Sequence, residues 1–160
     1  MKTLFLTLFF FIPLAQADEF LFVEGGGGTA RYSADKTSAT SAALGIKLNE
    51  DWWLNLGYFQ TGDVSDELKT QTLSYLGGSA SIEGINWISK SISLQGFVGF
   101  AGWQSSLTVG SESTSESGGE GLFGVGMNYY VFGPLYVGVS LIRYSDKLDD
   151  LAILKAGLMF

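Results

Sequence analysis

Cysteine and histidine are both absent from the 160 residues, and proline occurs only twice. Without cysteine, an exported chain has no disulfide framework to staple a small core. Without histidine, the usual general base for a nucleophilic serine is gone, and so is the commonest metal ligand. The two absences together exclude a zinc centre and cysteine-nucleophile chemistry. Cations are scarce as well: nine Lys and Arg stand against sixteen Asp and Glu, a formal net charge of −7. No basic stripe exists to neutralise phosphates, so nucleic acid is not an expected partner. After the first fourteen residues no apolar run approaches the roughly 20 residues of a membrane-spanning helix.

What is there begins with a leader. Lys2 supplies a positive start, Leu4 to Leu14 an apolar stretch, and Ala15-Gln16-Ala17 a small-x-small cleavage site. The stretch is too short to span a bilayer as a helix, and Pro13 interrupts it. The expected organisation is a signal peptide over 1–17, cleaved at the Ala15/Ala17 motif, and one domain over 18–160.

Eight stretches of about ten residues alternate with a two-residue period, the signature of half-buried strands. They are predicted at 20–29, 41–48, 53–61, 72–87, 92–104, 121–131, 135–144 and 151–160. Short connections at 49–51, 88–91 and 132–134 alternate with longer polar ones at 30–40, 62–71, 105–120 and 145–150. Short turns on one rim and long loops on the other are the asymmetry of outer-membrane barrels. Tilted strands of nine to eleven residues match the hydrocarbon thickness, and closure removes edges that lipid would leave unsatisfied. The expected fold is all-β: an eight-stranded antiparallel up-and-down transmembrane β-barrel.

Each strand then has a lipid face and a lumen face. Leu44, Ile46, Leu56, Tyr58, Val125, Met127, Val137 and Val139 fall on apolar outward registers. In the fourth stretch Leu76, Ala80 and Ile82 are assigned outward because this sends Glu83 inward. The inward registers carry Glu24, Lys47, Asn55, Glu83, Gln95, Asn128, Ser140 and Lys155, with Glu24 expected between Lys47 and Lys155. Eight strands enclose space for side chains only, so a mutually paired polar plug is expected rather than an ion path. Aromatic girdles are predicted at Trp52, Trp53, Trp87, Tyr129, Tyr130, Phe132, Tyr136 and Phe160 on the short-turn side. Tyr32, Tyr58, Phe100, Trp103, Phe123 and Tyr144 form the set toward the long loops.

Motifs for other chemistry fail on context. Gly25-Gly-Gly-Gly-Thr-Ala30 has the spacing of a dinucleotide-binding turn, but no amphipathic helix follows it. Its expected role is to relieve crowding in the first strand. The carboxylate pairs Asp149/Asp150 and Asp66/Glu67 lie among loop residues with no apolar pocket to separate their pKa values. Asp146-Lys-Leu-Asp-Asp150 lacks calcium-loop spacing. No catalytic residue, metal site or cofactor is assigned. The other long-loop acids, Glu120 among them, read as solvated, and divalent cations are expected to bridge this acidic rim to lipopolysaccharide.

Several segments carry a resemblance: Leu54-Asn-Leu-Gly-Tyr58, Gly96-Phe-Val-Gly-Phe-Ala-Gly-Trp103, Gly121-Leu-Phe-Gly-Val-Gly126 and Leu158-Met-Phe160. In their order and spacing the chain resembles the small eight-stranded outer-membrane barrels of Gram-negative bacteria, of the OmpA transmembrane-domain and OmpX type. The resemblance implies an outer-membrane location, reached through a periplasmic chaperone and the barrel-insertion machinery. It also implies that Leu154, Ala156, Leu158 and Phe160 form a C-terminal assembly signal, although the family prefers an aromatic where Leu158 stands. Relatives that remodel lipid A rely on histidine, so enzymatic activity is not expected. The expected function is a monomeric, non-enzymatic membrane protein with a structural or surface-interaction role. Alternatives are a small passive channel for ions or hydrophobic solutes, and an adhesin acting through its loops.

Overall fold

The computed structural model describes residues 20–32, 35–65, 71–146, 148 and 150–160. Eight long strands run β1 Leu21–Tyr32, β2 Asp35–Lys47, β3 Trp52–Thr61 and β4 Gln71–Ser89. They continue as β5 Ile92–Val109, β6 Glu112–Phe132, β7 Leu135–Tyr144 and β8 Asp150–Met159. A two-residue piece, Val64–Ser65, pairs with the start of β4. Every strand pairs antiparallel with its sequence neighbour, β3 joining β4 from Trp52↔Gly84 to Gln60↔Leu76. The ring closes where β1 meets β8, from Phe22↔Met159 to Arg31↔Asp150. Phe20 and Leu21 donate to the Phe160 carbonyl at 2.6 and 3.1 Å, and Phe160 N–H returns a bond to Leu21 at 2.7 Å. Among the described residues there is no helix.

The short-turn rim is built by local chemistry. The Asn49 side chain accepts from Asp51 and Trp52 N–H, both at 3.0 Å, an Asx turn that reverses the chain between β2 and β3. Gly133, at φ 50, supplies the left-handed residue between β6 and β7. Register shifts between Trp87 and Ser89 and between Tyr130 and Phe132 place bulges at this same rim.

On the opposite rim two of the predicted loops are strand. β1 and β2 stay paired out to Tyr32↔Asp35, so the connection expected at 30–40 is mostly ladder. The connection expected at 105–120 is a hairpin: Ser105–Val109 pairs with Glu112–Glu116 around Gly110, whose φ is 62. Loop-like composition concealed these extensions, because small polar residues keep the extended backbone when a neighbouring strand supplies hydrogen bonds.

Burial follows the alternation. Leu44, Ile46, Leu56, Tyr58, Leu76, Ile82, Val125, Met127, Val137 and Val139 are exposed on the outer wall. Between the two rims that wall bears no charged residue. Side chains one position along each strand fill the lumen, and that lumen is the core.

Candidate functional site

The lumen is filled in three layers. At the short-turn end Phe22, Trp53, Ile85, Tyr136 and Met159 pack together with Tyr130. The Phe22 and Trp53 rings lie 5.3 Å apart and the Tyr130 and Tyr136 rings 5.5 Å apart. At the long-loop end Ala30, Phe59, Tyr75, Trp103, Leu122, Tyr144, Leu148, Leu151 and Ile153 form a larger apolar layer. Its ring pairs are Phe59–Tyr144 at 5.6 Å and Tyr75–Trp103 at 5.5 Å.

This corrects the girdle assignment. Trp53, Tyr130, Tyr136, Trp103 and Tyr144 turn into the lumen. Adjacent residues on a strand point to opposite faces, so only one ring of Trp52–Trp53 or Tyr129–Tyr130 can reach lipid. The outward rings are Trp52, Tyr129 and Phe132 on one rim, and Tyr58, Phe100 and Phe123 toward the other. Trp87, opposite the buried Ser93, stands on the lumen side of the short-turn rim with its ring 4.7 Å from that of Tyr130. The Tyr32 side chain lies outside the described part of the molecule.

Between the aromatic layers sits a charged network. Lys155, 6% exposed, pairs with Glu24 Oε2 at 2.9 Å and donates to Gln95 Oε1 at 3.1 Å. The Tyr136 hydroxyl donates to the same Glu24 oxygen at 2.8 Å. Asn55 Nδ2 donates to Glu83 Oε2 at 3.3 Å, and Glu83 is 2% exposed. Register explains the Tyr136–Glu24 contact. Tyr136 faces Gly157 on β8, which faces Glu24 on β1. With no Cβ at Gly157, the ring crosses a whole strand to reach the carboxylate, and a Cβ there would collide with the ring.

Glu24, Asn55, Glu83 and Lys155 border a cavity of about 70 Å³, room for a few waters among polar walls. Glu83 Oε1, Ser93 Oγ and Asn128 Oδ1 are buried without a protein hydrogen bond, the kind of group that internal water satisfies. Ser140 is buried on β7. Lys47 takes no part in the ion pair: its register partner is Trp53, and its N–H bonds the Phe20 carbonyl at the short-turn rim. Glu24 is therefore flanked by Lys155 and Tyr136, not by Lys47. Lys47 lies four residues along β2 from Ala43, the partner of Glu24, a rise of about 13 Å that is too far for one side chain to span.

Glu120 is a residue that sequence reasoning placed wrongly. It is buried at the mouth, accepting from Asp146 N–H at 2.7 Å and Leu148 N–H at 3.3 Å. These bonds fold the segment after β7 over the opening, where Leu148 packs into the upper layer. Carrying the inward register of Leu122 back by two residues would have identified it.

On β8, Leu154 and Ala156 are exposed on the outer wall, and Leu158 and Phe160 are half-buried on the same face. Ala15 and Ala17 lie outside the described residues. Among the described residues no group of three or more acidic side chains could hold a metal ion.

No protein-family model matches the chain, and no curated protein matches it in sequence. Its structure is similar to solved outer-membrane barrels. Ail, the attachment invasion locus protein of Yersinia pestis, matches at TM-score 0.65 and 13% identity, over 89% of this chain and 99% of that one. The N-terminal β-barrel domain of Pseudomonas aeruginosa OprF matches at 0.70 and 17%, over 89% and 98%. Neisserial surface protein A matches at 0.68 and 12%, over 88% and 96%. The fold is that of the small eight-stranded outer-membrane barrels.

Proposed function

We propose that this chain is a non-enzymatic integral outer-membrane protein whose sealed barrel serves as a scaffold for a surface-interaction role. One observation carries the reading. The side chains are inverted relative to a soluble globule, with an uncharged apolar wall outside and the Glu24–Lys155 pair within. The same inversion argues against a lipocalin-like carrier, whose interior would be apolar and whose outer wall would be wet.

A passive channel fits less well. Both ends of the lumen are closed by packed rings, and the enclosed cavity is only about 70 Å³. The adhesin reading has one feature in its favour. The β5–β6 hairpin continues well past the mouth, with Leu107 and Val109 exposed. Such a projection resembles a working surface raised above a rigid scaffold, and Ail, a structural neighbour, is named for attachment and invasion.

The leader over 1–17, the β8 outward face as an assembly signal, and passage through a chaperone and the insertion machinery belong to the same proposal. Two measurements test it. The mature protein should fractionate with outer membranes, and a soluble periplasmic location would overturn the reading. In planar bilayers it should give no unitary conductance, whereas reproducible steps lost on Glu83→Gln or Lys155→Met would establish the channel instead.

A further inference from the structure

Arg31, Lys36 and Arg143 share one rung of the outer wall at the long-loop rim. The register runs Lys36↔Arg31↔Asp150↔Arg143↔Phe123 across five adjacent strands. Neighbouring positions in such a row lie about 5 Å apart. Arg143 holds Asp150 through Nε at 2.8 Å and Nη2 at 3.1 Å, and the row is made of three cations and one carboxylate beside Phe123. Elsewhere the described cations are Lys47 and Lys155 on lumen-facing registers and Lys90 in a turn at the far rim. On a chain of net charge −7, every outward-facing cation of the described strands is gathered here.

Directly below the row the wall is apolar and recessed. A groove of about 430 Å³ is lined by Arg31, Lys36, Arg143 and Asp150 above, with Val125, Leu141, Ala152 and Thr29 beneath. The next outward rung is Ser38↔Thr29↔Ala152↔Leu141↔Val125. Small side chains in its middle and bulky ones to the side give the groove its floor and one wall.

The geometry points to a binding site for a phosphorylated, acylated lipid of the outer leaflet, its phosphates on the Arg31–Lys36–Arg143 row and an acyl chain in the groove below. The site rests on the proposed outer-membrane role and adds to it a particular lipid class at a particular wall. Charge complementarity selects the occupant: guanidinium groups match phosphate oxygens, and at the lipid–water boundary they are less screened than in bulk water. Apolar contact alone would accept any acyl chain, whereas the cationic row requires an anionic headgroup. On this wall the protein's own cations meet the phosphates, without a bridging divalent ion.

The test is native mass spectrometry of the folded protein in detergent, titrated with bisphosphorylated lipid A and with the dephosphorylated lipid carrying the same chains. Arg31→Gln/Lys36→Gln leaves the Arg143–Asp150 pair intact, and Arg31→Lys keeps the charge. Two cations at a membrane surface correspond to about a ten- to thirty-fold loss of affinity for the phosphorylated lipid in the double variant. Arg31→Lys should bind nearly as wild type, the dephosphorylated lipid should bind weakly and equally to all three proteins, and EDTA should change nothing. Equal binding of phosphorylated lipid by wild type and double variant would overturn the site, as would wild-type indifference to the phosphates or loss of binding in EDTA. Heat-modifiable migration and protease protection in phosphatidylcholine vesicles separate the two claims. A protected barrel indifferent to phosphate sinks the site alone, while a protein that never becomes protected sinks the barrel reading and the site with it.

Discussion

Lys155 is the residue on which the lumen network depends, because one ammonium serves Glu24 and Gln95 together. Removing one partner of a buried pair leaves the other charge unsolvated, at a cost of about 3–5 kcal/mol. Lys155→Ala should therefore lower barrel stability by roughly that amount in urea unfolding from lipid vesicles. Pairing Lys155→Met with Glu24→Gln should recover most of the loss, since no bare charge then remains. Equal destabilisation by the single and double variants would show that packing, not charge, sets the cost. Gly157 tests the route by which Tyr136 reaches Glu24. In Gly157→Val a side chain meets the Tyr136 ring, as the close approach at this position requires. The expected loss is about 1–3 kcal/mol, with a change in tyrosine near-ultraviolet dichroism. An unchanged signal would mean that the ring does not cross the strand.

At the scale of elements, the β5–β6 hairpin and the β7–β8 segment finish the long-loop rim of the barrel in different ways. The hairpin is a ladder that continues only because each strand has its partner, and it covers no part of the lumen core. Excising 106–115 and joining the strands by a two-residue turn should leave a folded, heat-modifiable barrel. Failure of that variant to fold would show that the projection nucleates the sheet. The β7–β8 segment is held instead by Glu120. Glu120→Ala removes the acceptor for two N–H groups, a loss of about 1–3 kcal/mol locally. It should open 145–150 to proteolysis without changing global unfolding. Cleavage no faster than wild type would mean that Leu148 packing alone holds the segment shut.

For the whole molecule the decisive quantity is the polarity of the outer wall. An arginine at the bilayer midplane costs a β-barrel about 2–4 kcal/mol. Val139→Arg should lower stability in vesicles by that amount, while Ser38→Arg, close to the cationic rung, should cost much less. Equal costs at the two depths would contradict a membrane-embedded wall.

The two-residue alternation in Leu44–Ile46, Leu56–Tyr58 and Val137–Val139, with its turn punctuation, was sufficient to define eight strands, their antiparallel order and the outward faces of the clearly alternating ones. The first, fourth and fifth strands, by contrast, carry large apolar residues on both faces. Side-chain direction on a strand is a local property, so sequence determined it. Which inward residues touch was a different matter. Glu24 meets Tyr136 across Gly157, Trp53 meets Phe22, and Glu120 caps a segment more than twenty residues away, all through cross-strand register and the closure of the ring. The cationic row is the clearest case: Arg31, Lys36, Arg143 and Asp150 are spread over the chain and become neighbours only where β1 pairs with both β2 and β8. Stagger between strands is set by the whole cylinder, and no single segment carries it.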